Sequence, residues 1–230
     1  MKFINKILLL IYLLSASVAA AESLRMTPSV DIYFSSWSGE DENSTNNYSS
    51  ETTMLGLGLM LQKDKWYGGI SIKSSEFDFT DLAPEQDDGT QTSTSTISRA
   101  EFDLVAGYYI GPKVAVFLDL KSSAMDWLDT NYDIKFGGLG AGVSGFYPLT
   151  NGIFYASFGV VRLTAETGNS EVGSGAGSSL EIGWIYKLSP TLNLRAGLKS
   201  QVQVIDYDIA GEQTNRIGGI VVGISKSFSL

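Results

Sequence analysis

The side chains that could do chemistry in this chain are carboxylates, lysines and serines, because its 230 residues include no histidine and no cysteine. Histidine is the usual general base near neutral pH, and histidine and cysteine are the usual zinc ligands. Two candidate pairs remain: Ser71 with Lys73, and Glu101 with Asp103. Any strand with alternating polar residues produces such pairs by chance. We therefore predict no catalytic residues, no metal site, no cofactor and no enzymatic activity.

The segments that contain these pairs alternate apolar and polar residues with a period of two. Segment 54–61 reads MLGLGLML and segment 192–199 reads LNLRAGLK, so each has one apolar face and one small, polar or charged face. A strand places Leu192, Leu194 and Leu198 on one face, whereas a helix would scatter them around its axis. The pattern predicts β-strands throughout the chain.

Ten such segments follow one another, joined by links that are alternately short and long. The predicted strands are 29–36, 53–61, 66–74, 98–110, 114–122, 136–147, 153–163, 180–188, 192–204 and 217–230. The predicted long links are 38–52, 75–97, 126–133, 165–178 and 205–216. Most of the acidic residues of the chain fall in these long links, where Arg216 is the only basic residue.

This rhythm predicts an all-β fold: a closed antiparallel transmembrane β-barrel of about ten strands, with eight strands as the alternative. Closure leaves no unpaired sheet edge in lipid, and short turns on one side with long links on the other are typical of outer-membrane barrels. A soluble sandwich also alternates, but its turns show no such rhythm. We expect short periplasmic turns and long acidic outer loops.

The amino terminus predicts export. Lys2 and Lys6 precede an apolar stretch, 7–14, and small residues follow it. This stretch is shorter than the roughly 20 residues that a spanning helix needs, which favours a cleaved signal peptide over an uncleaved anchor. We assign residues 1–21 to the signal peptide and 22–230 to the barrel domain.

Aromatic residues predict two interfacial girdles, because amphipathic rings are most stable where lipid tails meet headgroups. The predicted girdle at the short turns consists of Trp66, Tyr108, Tyr147, Trp184, Tyr186 and Phe228. The one at the long links consists of Trp37, Phe77, Phe79, Trp127 and Tyr132. The alternative is that aromatic residues simply favour strands. Lys226 would face lipid, so we expect it low on the barrel, where its stem can reach the interface, or at a bulge.

In this pattern the mature chain resembles the small outer-membrane β-barrel proteins of Gram-negative bacteria, a porin-like family. The last strand, 223–230, resembles the terminal signal that the barrel assembly machinery recognises, with Phe228 and Leu230 in apolar positions, although it ends in Leu instead of an aromatic residue. The resemblance implies the cell outer membrane as location, and outer-membrane lipid, lipopolysaccharide and the assembly machinery as partners. Barrel enzymes such as omptin proteases and outer-membrane phospholipases resemble one another in depending on histidine, which is missing here.

The same alternation predicts a charged lumen. The inward candidates are Lys73, Glu101, Asp103, Asp119, Lys121, Glu181, Lys187, Arg195 and Lys199. We expect Glu181 opposite Lys199, and Glu101 or Asp103 near Lys121, in pairs that brace the wall. These residues form either a polar plug or a selectivity lining. Inward glycines indicate either strong wall curvature or a narrow aqueous path.

The long links predict an acidic surface that includes Glu40, Asp41, Glu42, Asp87 and Asp88. Such carboxylates either solvate the loops or share divalent cations with lipopolysaccharide phosphates. A formal net charge of −9 disfavours nucleic acid as a partner. Two functions follow: a structural or surface protein anchored by its barrel, or a narrow cation-favouring, porin-like channel for small solutes.

Overall fold

A computed structural model describes residues 23–42, 47–80, 94–130 and 132–230. The predicted signal peptide lies outside the described residues. The chain folds into ten long strands and one short strand, as the alternating pattern predicts. Their bounds are β1 Arg25–Asp41, β2 Asn47–Lys63, β3 Trp66–Phe79, β4 Ser95–Gly111, β5 Val114–Trp127, β6 Tyr132–Leu149, β7 Gly152–Thr167, β8 Ser170–Lys187, β9 Leu192–Tyr207, β10 Gly211–Lys226 and β11 Phe228–Ser229.

The ten long strands close into an antiparallel barrel. Each pairs with its neighbour in sequence, and β1 pairs with β10, with Ile32 opposite Val222. The short β11 continues β10 past Ser227 and pairs with the start of β1. The prediction of a closed ten-strand barrel is therefore confirmed. Among the described residues, no helix is long and apolar enough to cross a membrane.

Both ends of the described chain lie at the same end of the barrel as the tight turns, and we call this the terminal end. The opposite end is the distal end. The turn between β2 and β3 consists of two residues, with Asp64 in the left-handed region at a φ of 52°. Lys226 is the last residue of β10, opposite Leu192 at the terminal end, so the expected low position is correct.

The strands extend much further toward the distal end than predicted. They are 14 to 18 residues long, whereas about 9–11 residues cross a bilayer. Most of the predicted long link 165–178 belongs to β7 and β8, which turn at 168–169 with Gly168 at a φ of 62°. The predicted link 205–216 likewise contains a turn only at 208–210. These long-link predictions were wrong because polar residues in the distal half face outward from regular strands.

The outer wall is apolar only in its terminal half. Leu118 on β5 is 66 % exposed, and Asp126, which lies distal to it on the same face of the same strand, is also exposed. The terminal half thus forms an apolar band around the barrel. Exposed residues of this apolar band include Val30, Ile32, Phe34, Leu55, Leu57, Ile70, Ile72, Leu118, Leu139, Val160, Leu198 and Ile220.

Aromatic side chains at the distal end lie inside the barrel, which corrects the predicted second girdle. Trp37, Phe77, Phe79 and Trp127 are at most 3 % exposed, and Tyr132 packs against their cluster. They point inward because the strands continue past the apolar band, where the outer wall meets water and the interior takes the apolar side chains. The residues predicted for the terminal girdle are placed on the outer wall, with Trp66 61 % exposed.

Candidate functional site

The enclosed lumen is the candidate site, and its middle is a layer of charged side chains, nine of which form ion pairs with one another. Five cations and five carboxylates from six strands meet there, so the layer is formally neutral. We call these residues the charged layer: Asp31, Lys73, Arg99, Glu101, Asp103, Asp119, Lys121, Glu181, Arg195 and Lys199. The strict alternation of the strands places every one of them on the inward face.

Glu101 on β4 is a buried carboxylate of this layer that accepts hydrogen bonds from two cations. Its Oε2 accepts a hydrogen bond from Lys73 Nζ at 2.6 Å, and its Oε1 accepts one from Arg99 Nε at 3.0 Å. The three side chains are 4 %, 1 % and 8 % exposed for Lys73, Arg99 and Glu101. Charges buried this deeply are tolerated only when they are paired and hydrogen-bonded.

Lys121 on β5 joins two further carboxylates. Its Nζ lies 3.1 Å from Asp103 Oδ1 and 3.1 Å from Asp119 Oδ2. Asp103 stands directly opposite Lys121 in the strand register, as the alternation predicts. Lys73 Nζ approaches Asp103 Oδ2 at 3.6 Å, which links this group to the one around Glu101.

Arg195 on β9 organises the third group. Its Nη2 pairs with Glu181 Oε1, its Nε donates to the Tyr155 hydroxyl at 2.9 Å, and its Nη1 lies 3.5 Å from Asp31 Oδ1. The Tyr155 hydroxyl donates to Glu181 at 2.5 Å. Glu181 lies opposite Lys199 in the register, as predicted, but it pairs with Arg195 because the planar guanidinium can serve several acceptors at once.

Three members of this network were missed at the level of sequence: Asp31, Arg99 and Tyr155. Asp31 alternates with Val30 and Ile32, so the period of two already placed it inside. Arg99 shares the inward face of β4 with Glu101 by the same rule. Tyr155 carries no comparable signal, because an aromatic residue in a strand can face either side.

Other predicted site residues lie apart from the charged layer. Lys187 is exposed at the terminal end of β8. Glu40 is an exposed residue of β1, 3.0 Å from Arg216 Nη1, whereas Asp41 is buried inside and accepts a hydrogen bond from Gln213 Nε2 at 2.9 Å. Both were expected in a loop. Glu42 directly follows β1, and the predicted acidic residues Asp87 and Asp88 lie outside the described residues.

Above the charged layer, toward the distal end, the lumen holds an apolar cluster that we call the outer core. Its buried members include Trp37, Tyr48, Phe77, Phe79, Ile97, Met125, Trp127, Ile134, Phe136, Leu163 and Ile205. The Trp37 ring meets those of Phe77 and Phe79 edge to face at 5.3 Å and 5.2 Å. The Arg99 guanidinium lies 5.2 Å from the centre of the Trp37 ring and so connects the outer core to the charged layer.

A buried chain of hydrogen bonds ties the outer core to the seam where β1 meets β10. Trp37 Nε1 and the Tyr48 hydroxyl donate to Asn215 Oδ1 at 2.8 Å and 2.9 Å. Asn215 Nδ2 donates to Gln213 Oε1 at 3.0 Å, and Gln213 donates in turn to Asp41. These bonds satisfy polar groups that would otherwise be costly in an apolar interior.

Two inward glycines are covered by aromatic rings of neighbouring strands. A Cβ built on Gly107 would lie 2.1 Å from the Tyr67 ring, and one on Gly142 would lie 2.2 Å from the Phe117 ring. Near the terminal end, the Tyr67 and Tyr109 rings lie 5.4 Å apart. The space at these two glycines is thus occupied by a ring from a neighbouring strand.

The space left inside is small. A cavity of about 20 Å³, enough for one water molecule, is lined by Tyr33, Lys73, Glu101 and Lys199 together with neighbouring residues of the lumen. A second cavity of about 20 Å³ lies beside Lys121 and Gln203. The described lumen is therefore filled by aromatic rings near the terminal end, by the charged layer in the middle and by the outer core at the distal end.

Both candidate catalytic pairs are engaged in ion pairs. Lys73 Nζ donates a hydrogen bond to Glu101 Oε2 at 2.6 Å, and Asp103 is paired with Lys121. Ser71 Oγ lies 3.5 Å from Asp103 Oδ2, a marginal hydrogen bond to a carboxylate that is already paired. Within the described ranges, no group of three or more acidic residues is arranged to hold a metal ion.

No protein-family model matches the sequence, and no curated protein matches it. Solved structures are similar in fold. The outer-membrane protease OmpT of Escherichia coli matches with a TM-score of 0.58 at 9 % identity, over 93 % of this chain and 100 % of that chain. The NalP autotransporter translocator domain of Neisseria meningitidis matches at 0.46, with 9 % identity over 97 % and 95 %. Neisserial surface protein A matches at 0.44, with 12 % identity over 90 % and 100 %.

The likeness to OmpT shows the fold alone, because the identity is low. The chain has the fold of the outer-membrane β-barrel proteins of Gram-negative bacteria. The family resemblance that the sequence indicates is confirmed at this level.

Proposed function

We propose that this protein is a non-enzymatic outer-membrane barrel with a closed lumen, which anchors in the bilayer a rigid distal half that projects from the cell surface. The observation that supports this function is the filling of the described lumen by side chains at every level. The charged layer is neutral and cross-paired, and the outer core lies above it. A barrel whose lumen is filled by side chains can anchor a protein in the membrane but leaves no wide aqueous path for solutes.

The apolar band supports an embedded position of the barrel in the bilayer. On β5 it consists of Val114, Val116, Leu118 and Leu120, a stretch whose length with its flanking aromatic residues suits a tilted transmembrane strand. Trp66 and Tyr147 are exposed at the terminal edge of this band. With the predicted signal peptide, this arrangement supports location in the outer membrane, with the short turns on the periplasmic side.

The distal half then stands beyond the lipid. Its outer wall carries exposed carboxylates such as Glu51, Glu76 and Asp126, and its interior is packed like that of a soluble protein. Lipopolysaccharide is the proposed neighbour of this wall, with divalent cations bridging to its carboxylates. We propose that the barrel assembly machinery contacts the last residues of the chain, where Phe228 pairs with Met26.

Single-channel recording tests the closed lumen. The mature protein is refolded, its folding is verified by a heat-dependent shift in electrophoretic mobility, and it is added to a planar bilayer. We expect no conductance steps from the folded barrel. Reproducible steps from folded protein would contradict the anchor and support the cation-favouring channel, above all if neutralising Glu51 and Glu76 reduced their size.

An enzymatic role needs its own test, because OmpT is a protease. Omptin proteases resemble other barrel enzymes in depending on histidine, and this chain has none. We expect that folded protein leaves a mixture of unstructured peptides intact, with OmpT as the positive control. Cleavage that is lost on unfolding the barrel would overturn this part of the proposal.

A further inference from the structure

The two ends of the barrel carry opposite charge. The described residues of the terminal end include six exposed or half-buried cations and one acid, Asp64. The six cations are Arg25, Lys63, Lys65, Lys113, Lys187 and Lys226. The outer wall of the distal half is rich in carboxylates, so the barrel has a positive rim at one edge of its apolar band and a negative surface beyond the other edge.

Four of these cations lie on the outside of the terminal end, and we call them the lysine rim: Lys63, Lys65, Lys113 and Lys226. Lys63 ends β2, Lys65 lies in the turn to β3, Lys113 lies in the turn between β4 and β5, and Lys226 ends β10. They lie on both sides of the seam where β1 pairs with β10. Because they are distributed over several strands and do not share one flat face, they suit contact with the edge of a bilayer better than a single docking surface.

The lysine rim lies beside aromatic rings that face lipid. Lys113 Nζ is 5.2 Å from the centre of the Tyr147 ring, and Lys226 Nζ is 5.3 Å from that of Phe228. Lys63 is directly opposite Trp66 in the strand register. Aromatic rings of this kind mark the level where lipid tails meet headgroups, and lysine stems reach along apolar surface to place the ammonium group in the polar layer.

From this placement we infer that the lysine rim binds the headgroups of anionic phospholipids, such as phosphatidylglycerol, in the leaflet at the terminal end. The phosphodiester groups of that leaflet lie at the depth of the four ammonium groups. A zwitterionic headgroup attracts them less, because its own cation competes for the phosphate. A lysine near an anionic membrane surface increases binding by about fivefold. The inference rests on the proposed membrane placement of the barrel.

Tryptophan quenching by brominated lipids tests this inference on the full mature chain. Trp66 and Trp184 are exposed on the outer wall, 61 % and 44 %, whereas Trp37 and Trp127 are buried inside. The protein is refolded into phosphatidylcholine vesicles that contain equal mole fractions of brominated phosphatidylglycerol or brominated phosphatidylcholine. We expect anionic lipid to be enriched about fivefold at the barrel and the enrichment to weaken in high salt.

The test variant K63Q/K65Q/K113Q removes three of the four rim lysines, and we expect most of the preference for phosphatidylglycerol to be lost. The matched control is K135Q/R162Q/R216Q, which removes three exposed cations from the distal half and should keep the preference for phosphatidylglycerol. Equal quenching of the unmodified barrel by the two brominated lipids would overturn the inference. This result is expected if the lysine rim binds a periplasmic protein instead of lipid. A preference that is undiminished in the test variant would overturn it too.

Electrophoretic mobility separates this inference from the proposed function. A barrel that shows the heat-dependent shift but has no lipid preference contradicts only the lipid site. A chain that never acquires the shift in any vesicle contradicts the membrane barrel itself.

Discussion

The terminal and distal halves of this barrel are built from the same strands with opposite polarity. In the terminal half, Leu118 faces outward and Lys121 lies inside, whereas further along the same strand Asp126 faces outward and Trp127 lies inside. The backbone alternation is identical in both halves. The difference teaches that the surroundings of the wall, lipid or water, decide which face of a strand is apolar.

Removing a ring from the outer core should break the distal half most severely. Trp37→Ala deletes a fully buried side chain, its edge-to-face contacts and a hydrogen bond to Asn215. We expect a loss of about 3–5 kcal/mol in the free energy of unfolding, measured by urea titration with electrophoretic mobility as the readout. Phe34→Ala, on the same strand but in the apolar band, is the control and should cost clearly less. Equal losses would mean that the distal half is not packed as a core.

Breaking the charged layer in the middle of the barrel should destabilise the protein by a similar amount. Glu101→Gln leaves Lys73 and Arg99 without the carboxylate that neutralises them. A buried ion pair that loses one partner costs about 3–5 kcal/mol, measurable by the same titration. Glu40→Gln, which disrupts the exposed pair with Arg216, is the control and should cost at most about 1 kcal/mol. An equally small effect of both changes would show that water already screens the charged layer.

A charge placed on the outer wall should distinguish the two halves directly. Leu118→Arg puts a guanidinium in the apolar band and should cost about 2–4 kcal/mol in vesicles, because charge is unfavourable near the midplane. Asp126→Arg, on the same face of the same strand, should change stability by less than about 0.5 kcal/mol. If the two substitutions cost the same, the edge of the apolar band is misplaced.

The smallest effect is expected at one hydroxyl of the outer core. Tyr48→Phe removes a hydrogen bond to Asn215 while the ring and the Trp37 hydrogen bond remain. We expect a loss of about 1 kcal/mol in the free energy of unfolding. The double change with Trp37→Ala should show non-additivity, because both side chains donate to the same oxygen. Strict additivity would argue against a shared acceptor.

The ten strands and much of the charged layer were predictable because a period of two assigns each residue to a face without knowledge of its neighbours. Lys73, Glu101 and Asp103 were placed inside on this basis. The pairing of Glu181 with Arg195 was not predictable, because several cations lie within reach and side-chain geometry decides among them. The burial of Trp37 and Phe77 was missed because a polar, acidic outer face makes a strand resemble a loop in composition.

The amino-acid sequence by itself determined the alternation, the number of strands and the absence of histidine and cysteine chemistry. These properties are local, since each depends on residue type and spacing along one strand. Only the tertiary structure decided that side chains fill the described lumen, that rings cover inward glycines such as Gly107 and Gly142, and that the polarity of the wall inverts at mid-height. Those properties depend on which side chains meet across the barrel once β1 has closed onto β10.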